Sequence, residues 1–468
     1  MAIESLRNDV QMATVLKKIV ADKAIWIDKR KIQQPLSSFI DTLKQSDRDF
    51  YQALVKPHSV FILECKKASP SKGMIRDDFD PKKIASIYNN YADAISVLTD
   101  EKYFQGSFDF LPIVKQQTHQ PILCKDFIID EYQIYLARYY QADAILLMLS
   151  VLNDEEYQYL SEIAHRLGMG ILTEASTDHE VERAINLNAK VIGINNRNLR
   201  DLTVDLNRVK HLAPMIPKDR IIISESGIYS HQQVLELSQY AQGFLIGSAL
   251  MSENDLELAI RKVMLGENKI CGLTSVQDAV AAYHAGAVYG GLIFVPESPR
   301  YICPAKAEDL ILSSKLNWVG VFRNKPIDAV VNTVKSLHLF AVQLHGNEDE
   351  HYLTELRTQL PNSCQIWQAI SIGESIPQLN NPLINRYILD NGQGGSGKTF
   401  NWQLLQNRLL DKVILAGGIN PENAQQAIQT GVIGIDINSG VEISPGIKDQ
   451  QKITKIFNVL RNYPYLNN

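Results

Sequence analysis

The chain has 468 residues, too many for one ordinary core, with 45% hydrophobic and 21% charged residues and a net charge of -5. That balance excludes a disordered chain, gives no basic footprint for nucleic acid, and leaves no apolar run long enough to span a membrane. Five cysteines without a CxxC pair argue against a disulfide framework or a thiolate metal cluster.

Met1 to Lys31 mixes charges with apolar positions at helical spacing and is predicted to be an amphipathic helix rather than a signal peptide. Short β-branched runs then alternate with charged, helix-like segments. They are 60–66, 94–99, 121–127, 144–150, 170–175, 191–197, 220–227 and 243–250, and eight more come after them. The second set is 269–274, 289–295, 318–322, 341–345, 366–371, 386–391, 413–419 and 432–440. Near-continuous apolar strands between helices imply a parallel sheet covered on both faces. Two rounds of eight predict an α/β chain of two tandem (β/α)8 barrels, over 1–266 and 267–468, the first with an extra N-terminal helical segment. Segment 252–269 is expected to run from the last helix of one barrel into the next.

In such barrels chemistry sits at the C-terminal strand ends. The first strand ends with Glu64 and Lys66 on one face, and Cys65 on the other. Lys125, beside Asp126 and Phe127, ends the third strand; Glu174 ends the fifth; Asn195, Asn196 and Arg197 end the sixth. Lysines and glutamates converging there form an acid–base set, in which a lysine desolvated near another cation has a lowered pKa and donates a proton. Cys65 and Cys124 are expected to be packing residues.

The seventh and eighth strands finish Glu225-Ser226-Gly227 and Gly247-Ser248, and in the second half Gly417-Gly418 and Asp436 to Gly440. Glycines there let backbone amides approach a phosphate. Cys271 at the first strand of the second half and Asp390 at its sixth could move protons between neighbouring substrate atoms, while Arg300, Gln343 and His345 could bind an anionic or polar ring. The run Gly392 to Thr399 matches the P-loop pattern, which gives a competing reading as a nucleotide-dependent phosphotransferase. A P-loop opens its own helix, however, and Thr399-Phe400-Asn401-Trp402 is a poor start for one; in a barrel the run is a glycine-rich loop suited to closing over substrate.

These residues resemble two families. Segments 63–73, 94–107, 121–128, 193–197, 224–228 and 245–251 are similar to indole-3-glycerol-phosphate synthase. Segments 269–274, 296–302, 341–346, 389–400, 415–423 and 437–442 resemble phosphoribosylanthranilate isomerase, in the order of the fused bifunctional enzyme of enteric-type bacteria. The resemblance implies that Lys66, Lys125 and Glu174 transfer protons with support from Glu64 and Asn195, and that Asp390 and Cys271 are the isomerase acid and base. It implies substrate contacts from Ser69, Phe127, Arg197, Glu225, Ser226, Gly227, Gly247 and Ser248 in the first half. In the second half it implies phosphate binding by Gly417, Gly418, Ser439 and Gly440 with Asp436 among them, and Arg300 against the anthranilate carboxylate. The expected protein is a cytoplasmic monomer without cofactor or metal, acting on small phosphorylated molecules, with no nucleic-acid or membrane partner.

Overall fold

The computed structural model describes residues 12, 14–198, 201–391 and 398–462. The chain divides into two compact units: among the described residues, one runs to Tyr229 and continues over Glu236–Ala259, and the other comprises Ser230–Leu235 and 260–462.

The first unit is built on a closed parallel barrel of eight strands. They are β1 (Val60–Cys65), β2 (Ala94–Leu98), β3 (Ile122–Lys125), β4 (Ala144–Met148), β5 (Gly170–Ala175), β6 (Val191–Asn195), β7 (Ile221–Glu225) and β8 (Gly243–Ile246). β1 pairs with both β2 and β8, which closes the ring and leaves no strand edge. Every residue of β1 is buried, as expected of a strand with core on one side and helices on the other. Local chemistry sets the helix starts: Asn153 and Glu156 form a capping box, and Asp80 caps a helix whose first residue is Pro81.

The expected N-terminal helix is α1 (Thr14–Gln33), and the part of that expectation over 1–11 and 13 lies outside the described residues. Its buried stripe is Leu16, Ile19, Val20, Lys23 and Ile27. A lysine in an otherwise apolar stripe requires buried counter-charges, and Lys23 has two of them, Asp100 and Asp126.

The second unit repeats the architecture as a second closed parallel barrel. Its strands are β9 (Lys269–Ile270), β10 (Tyr289–Ile293), β11 (Asn317–Phe322), β12 (Ala341–Leu344), β13 (Gln365–Ile372), β14 (Arg386–Asn391), β15 (Val413–Leu415) and β16 (Gly434–Ile437). β9 is shorter than its sequence run suggests because Gly272 adopts φ +68 and turns the chain away. The helix Leu256–Leu265 precedes β9 in the expected segment.

Candidate active sites

In the first barrel the strand ends bring the acid–base residues into one cavity. Glu64, Lys66, Ser69, Lys125, Phe127, Glu174, Asn195, Arg197, Glu225, Ser226, Gly227, Gly247 and Ser248 all line it. Val15, Leu16 and Ile19 of α1 contribute an apolar part of the wall. Glu64 Oε1 is 2.5 Å from Lys66 Nζ, and Lys125 Nζ lies 3.8 Å from Glu64 and 3.2 Å from Glu225. Asn195 donates to Glu174 Oε1 at 3.1 Å, which fixes the carboxylate's orientation.

Burial raises Glu174 above the ordinary carboxylate pKa, with Lys125 and Asn195 opposing it. Glu225 is pushed by burial to about 7, with Lys125 opposing and Glu174 adding to the rise. Burial also raises Glu64, but Lys66 and Lys125 outweigh it and hold that carboxyl below its usual range. The expectation of a lysine with lowered pKa is overturned at Lys125. Burial does act to lower it, but the nearby Glu225, Glu64 and Glu174 prevail and raise it above the ordinary lysine value. Lys125 is thus a firmly charged ammonium among carboxylates, suited to pairing with developing negative charge. Cys65 and Cys124 are fully buried, and burial pushes both thiols well above their ordinary pKa.

Several neighbours were not visible as site residues in the sequence. Lys23 of α1 makes ion pairs of 2.6 and 2.7 Å with Asp100 and Asp126, all three nearly inaccessible. Asp126 also accepts from Thr99 and from the amide of Phe127, so α1 is tied to the segment carrying Lys125. Phe104 faces Phe127 with ring centroids 6.2 Å apart, adding a second aromatic wall. Gly193 is required beside Glu225, because a Cβ there would collide with Glu225 Oε1. Arg197 donates to the carbonyl of Leu202 at 2.8 Å, which holds its guanidinium at the cavity.

In the second barrel Cys271 lies beside an apolar cluster with Ile293 and Val321. Asp390 is pushed to about 6 by burial, with the amide of Asn391 opposing and Asp436 adding to the rise. A carboxylic acid near neutrality is a competent proton donor. Gln343 is buried, and its Oε1 has no hydrogen-bond partner among the described residues. His345 is held below the usual histidine pKa by burial and by Lys269.

Two of the expected residues have partners within the fold. Asp436, expected to lie among the phosphate-binding residues, is paired inside the barrel with the fully buried Lys269 at 2.7 Å. Arg300 is held by Glu442, Nε at 2.9 Å and Nη2 at 2.8 Å, so only part of its fork is available to an anion. Glu442 also pairs with the buried Lys448 at 2.9 Å. Strand alternation places Lys269 on the face of Cys271, the signal that could have found it.

The two barrels share a backbone device. After β7, Ser226 and Gly227 have φ +69 and +81; after β15, Gly417 and Gly418 have φ +87 and +64. Left-handed residues carry the chain out of the strand ladder into a turn, and backbone amides in a turn can face an anion. Gly440 packs against the carbonyl of Ile419, which draws the loop holding Ser439 and Gly440 against the one after β15.

Of the P-loop run, 392–397 lie outside the described residues. Beyond Lys398 and Thr399 the chain forms a 3₁₀ turn, Trp402–Leu405, instead of the helix a P-loop must open. Among the described residues, no cluster of three His, Cys, Asp or Glu could hold a metal, and no helix is long and apolar enough to cross a membrane.

Two barrel mouths that set acid–base groups beside an anion-accepting turn define a pair of (β/α)8 proton-transfer enzymes. Residues 16–263 match the family model for indole-3-glycerol phosphate synthase and 268–459 that for N-(5'phosphoribosyl)anthranilate isomerase. The tryptophan biosynthesis protein TrpCF of Yersinia pestis is 61% identical over 450 residues, 96% of this chain and 95% of its own. Those of Salmonella typhi and Vibrio cholerae are 61% and 58% identical, covering 97% of this chain and 100% and 97% of theirs. The chain belongs to this bifunctional synthase–isomerase family of tryptophan biosynthesis. Its C-terminal half isomerises N-(5-phosphoribosyl)anthranilate to 1-(2-carboxyphenylamino)-1-deoxyribulose 5-phosphate, and its N-terminal half closes that product to indole-3-glycerol phosphate with loss of carbon dioxide and water. A nucleotide-dependent phosphotransferase is not supported.

Proposed function

We propose that the two activities divide at 1–266 and 267–468 and run on the strand-end residues of each barrel. In the isomerase, Asp390 protonates the ribose ring oxygen as the ring opens to an iminium. Cys271, as thiolate, takes the C2 proton, and the C–H electron pair forms the enol that becomes the ketone. Gln343 and His345 contact the polar part of the sugar, and the available edge of Arg300 meets the anthranilate carboxylate. Amides at Gly417, Gly418, Ser439 and Gly440 receive the phosphate.

In the synthase, Lys125 and Lys66 place their ammonium groups at the ketone oxygen. The ring carbon attacks, carbon dioxide leaves, and the resulting hydroxyl departs as water. Glu174, oriented by Asn195, takes the proton released in dehydration, while Glu64 holds Lys66. Ser226, Gly227, Gly247 and Ser248 take the phosphate; Phe127 walls the anthranilate ring; Arg197 and Ser69 position the polar chain. Glu225 serves chiefly through Lys125. The observation that carries this reading is the single cavity in which Lys125 stands among three carboxylates.

Composition supports a cytoplasmic protein, and two complete barrels in one chain support a monomer acting on small phosphorylated molecules alone. Separate assays test the division. Cys271→Ala is expected to abolish isomerisation with ring closure intact, and Lys125→Ala the reverse. A folded variant that loses both activities would refute two independent sites.

A further inference from the structure

We propose that Lys269 is a positioning residue of the isomerase: its ammonium, seated between Asp436 and Cys271 in a space left by Gly291, keeps Cys271 available as a thiolate. The proposal rests on the reading of Cys271 as the base.

The geometry comes from three neighbouring strands. Lys269 and Cys271 are two residues apart and share a face at β9. On one side Lys269 is in register with Asp436 of β16, and Nζ lies 2.7 Å from Oδ2 with no exposed side-chain surface on the lysine. On the other side is Gly291 of β10. A Cβ at Gly291 would lie 2.7 Å from Cys271 Sγ and 3.0 Å from Lys269 Cε, so both side chains cover the same glycine. A larger residue would drive the thiol and the ammonium stem apart.

A lysine has three donors, and Asp436 Oδ2 takes one. The thiol itself is set against Ile293 and Val321, an apolar wall that favours its neutral form. Other charges face it from the loops: Arg300 after β10, and Lys448 from a short hairpin, Glu442–Ser444 with Ile447–Lys448. Both of those cations are already held by Glu442, and Lys448 also donates to Asn438 Oδ1 at 2.9 Å. Lys269 is therefore the cation placed to answer charge on the sulfur. The electrostatics agree. Burial raises the Cys271 thiol and Lys269 draws it back down, while Asp436 works against Lys269. Burial would lower Lys269, but Asp436 and Cys271 outweigh it, so the lysine stays charged. When the C2 proton moves to sulfur, the thiolate–ammonium pair becomes a neutral thiol beside an ammonium, and Asp436 keeps the lysine from becoming an unpaired buried charge.

The test is the pH dependence of iodoacetamide labelling of the full chain, read on the Cys271 peptide by mass spectrometry. In Lys269→Met the labelling midpoint is expected to rise by about one pH unit or more. Isomerase kcat is expected to fall at least about tenfold with little change in KM, and ring closure to be unchanged. Lys269→Arg restores the cation and should recover part of the midpoint. Lys269→Gln removes the charge but keeps a polar side chain and should raise the midpoint as well, which keeps the test decisive if the methionine variant folds poorly. An unchanged midpoint in Lys269→Met or in Lys269→Gln overturns the proposal. Normal isomerisation by Cys271→Ala would instead overturn the base assignment beneath it, whatever Lys269 does to labelling.

Discussion

Glu225 on β7 reaches across the barrel mouth to within 3.2 Å of Lys125 on β3, four strands away around the ring in either direction. The pair spans the cavity. Glu225 is buried and Lys125 is mostly so, and the charge state of one sets the electrostatics of the other. With Glu225 titrating near 7, the synthase carries a group that changes state in the physiological range.

Glu225→Gln should therefore alter stability as a function of pH. A carboxyl raised in the folded state contributes stability that is complete below its ordinary pKa of 4.5 and is lost as pH rises through about 7. Calorimetric unfolding of the N-terminal unit should show wild type losing stability between pH 5 and 8, and the variant losing less of it. Equal losses in both proteins would remove Glu225 as the source.

Asp390 and Cys271 make a prediction about rate. In the proposed mechanism Asp390, the acid, must be protonated although it titrates near 6, and Cys271, the base, ionised although its thiol lies above the ordinary 9.0. The working pair is then a minority form through the neutral range, and the product of the two fractions is constant there. Isomerase kcat should be flat across neutral pH and fall on the acid side of about 6. Asp390→Asn should lower kcat by about 10²–10⁴. A wild-type rate that climbs steadily from pH 6 to 9 would contradict the pairing.

Lys23→Met leaves Asp100 and Asp126 buried without their cation. Breaking such a set by removing one partner costs roughly 3–5 kcal/mol. Urea unfolding of the N-terminal unit should move to lower concentration by that amount, while isomerisation in the native variant stays normal. A shift below about 1 kcal/mol would mean that the carboxylates relax to water.

Gly417→Ala combines backbone strain with a steric clash. At φ +87 an alanine costs about 1–2 kcal/mol, and its Cβ would lie 2.5 Å from Asp390 Oδ1. Isomerase activity should drop by at least about tenfold while ring closure is retained, because the displaced atom belongs to the acid. Comparable losses in both assays would point to a folding defect instead.

The barrel rhythm was legible because parallel strands covered on both faces announce themselves as unbroken apolar runs. The strand ends were legible for the same reason: a Glu64 or Asp390 inside such a run has no solvent to face. What stayed hidden depends on partners distant in sequence. Lys23 is an ordinary helix lysine until Asp100 and Asp126 fold against it, and Arg300 reads as a free anion binder until Glu442 takes two of its donors. The direction of the Lys125 shift was likewise inaccessible, since it depends on counting the carboxylates around one ammonium. The pairing of Asp436 was hidden as well, because its place near the glycine turn in sequence does not reveal that its register partner is Lys269.

The paired left-handed residues at Ser226–Gly227 and Gly417–Gly418 have a use for anyone remodelling either half. In each barrel this turn, the proposed phosphate grip, comes after the seventh strand, whereas Lys125, Glu174, Cys271 and Asp390 sit on or just past other strands. Handle and tool are thus encoded by separate stretches of chain. A library that randomises the ends of the first six strands and spares the turns after the seventh and eighth is expected to keep the proposed phosphate site while the reaction itself is varied.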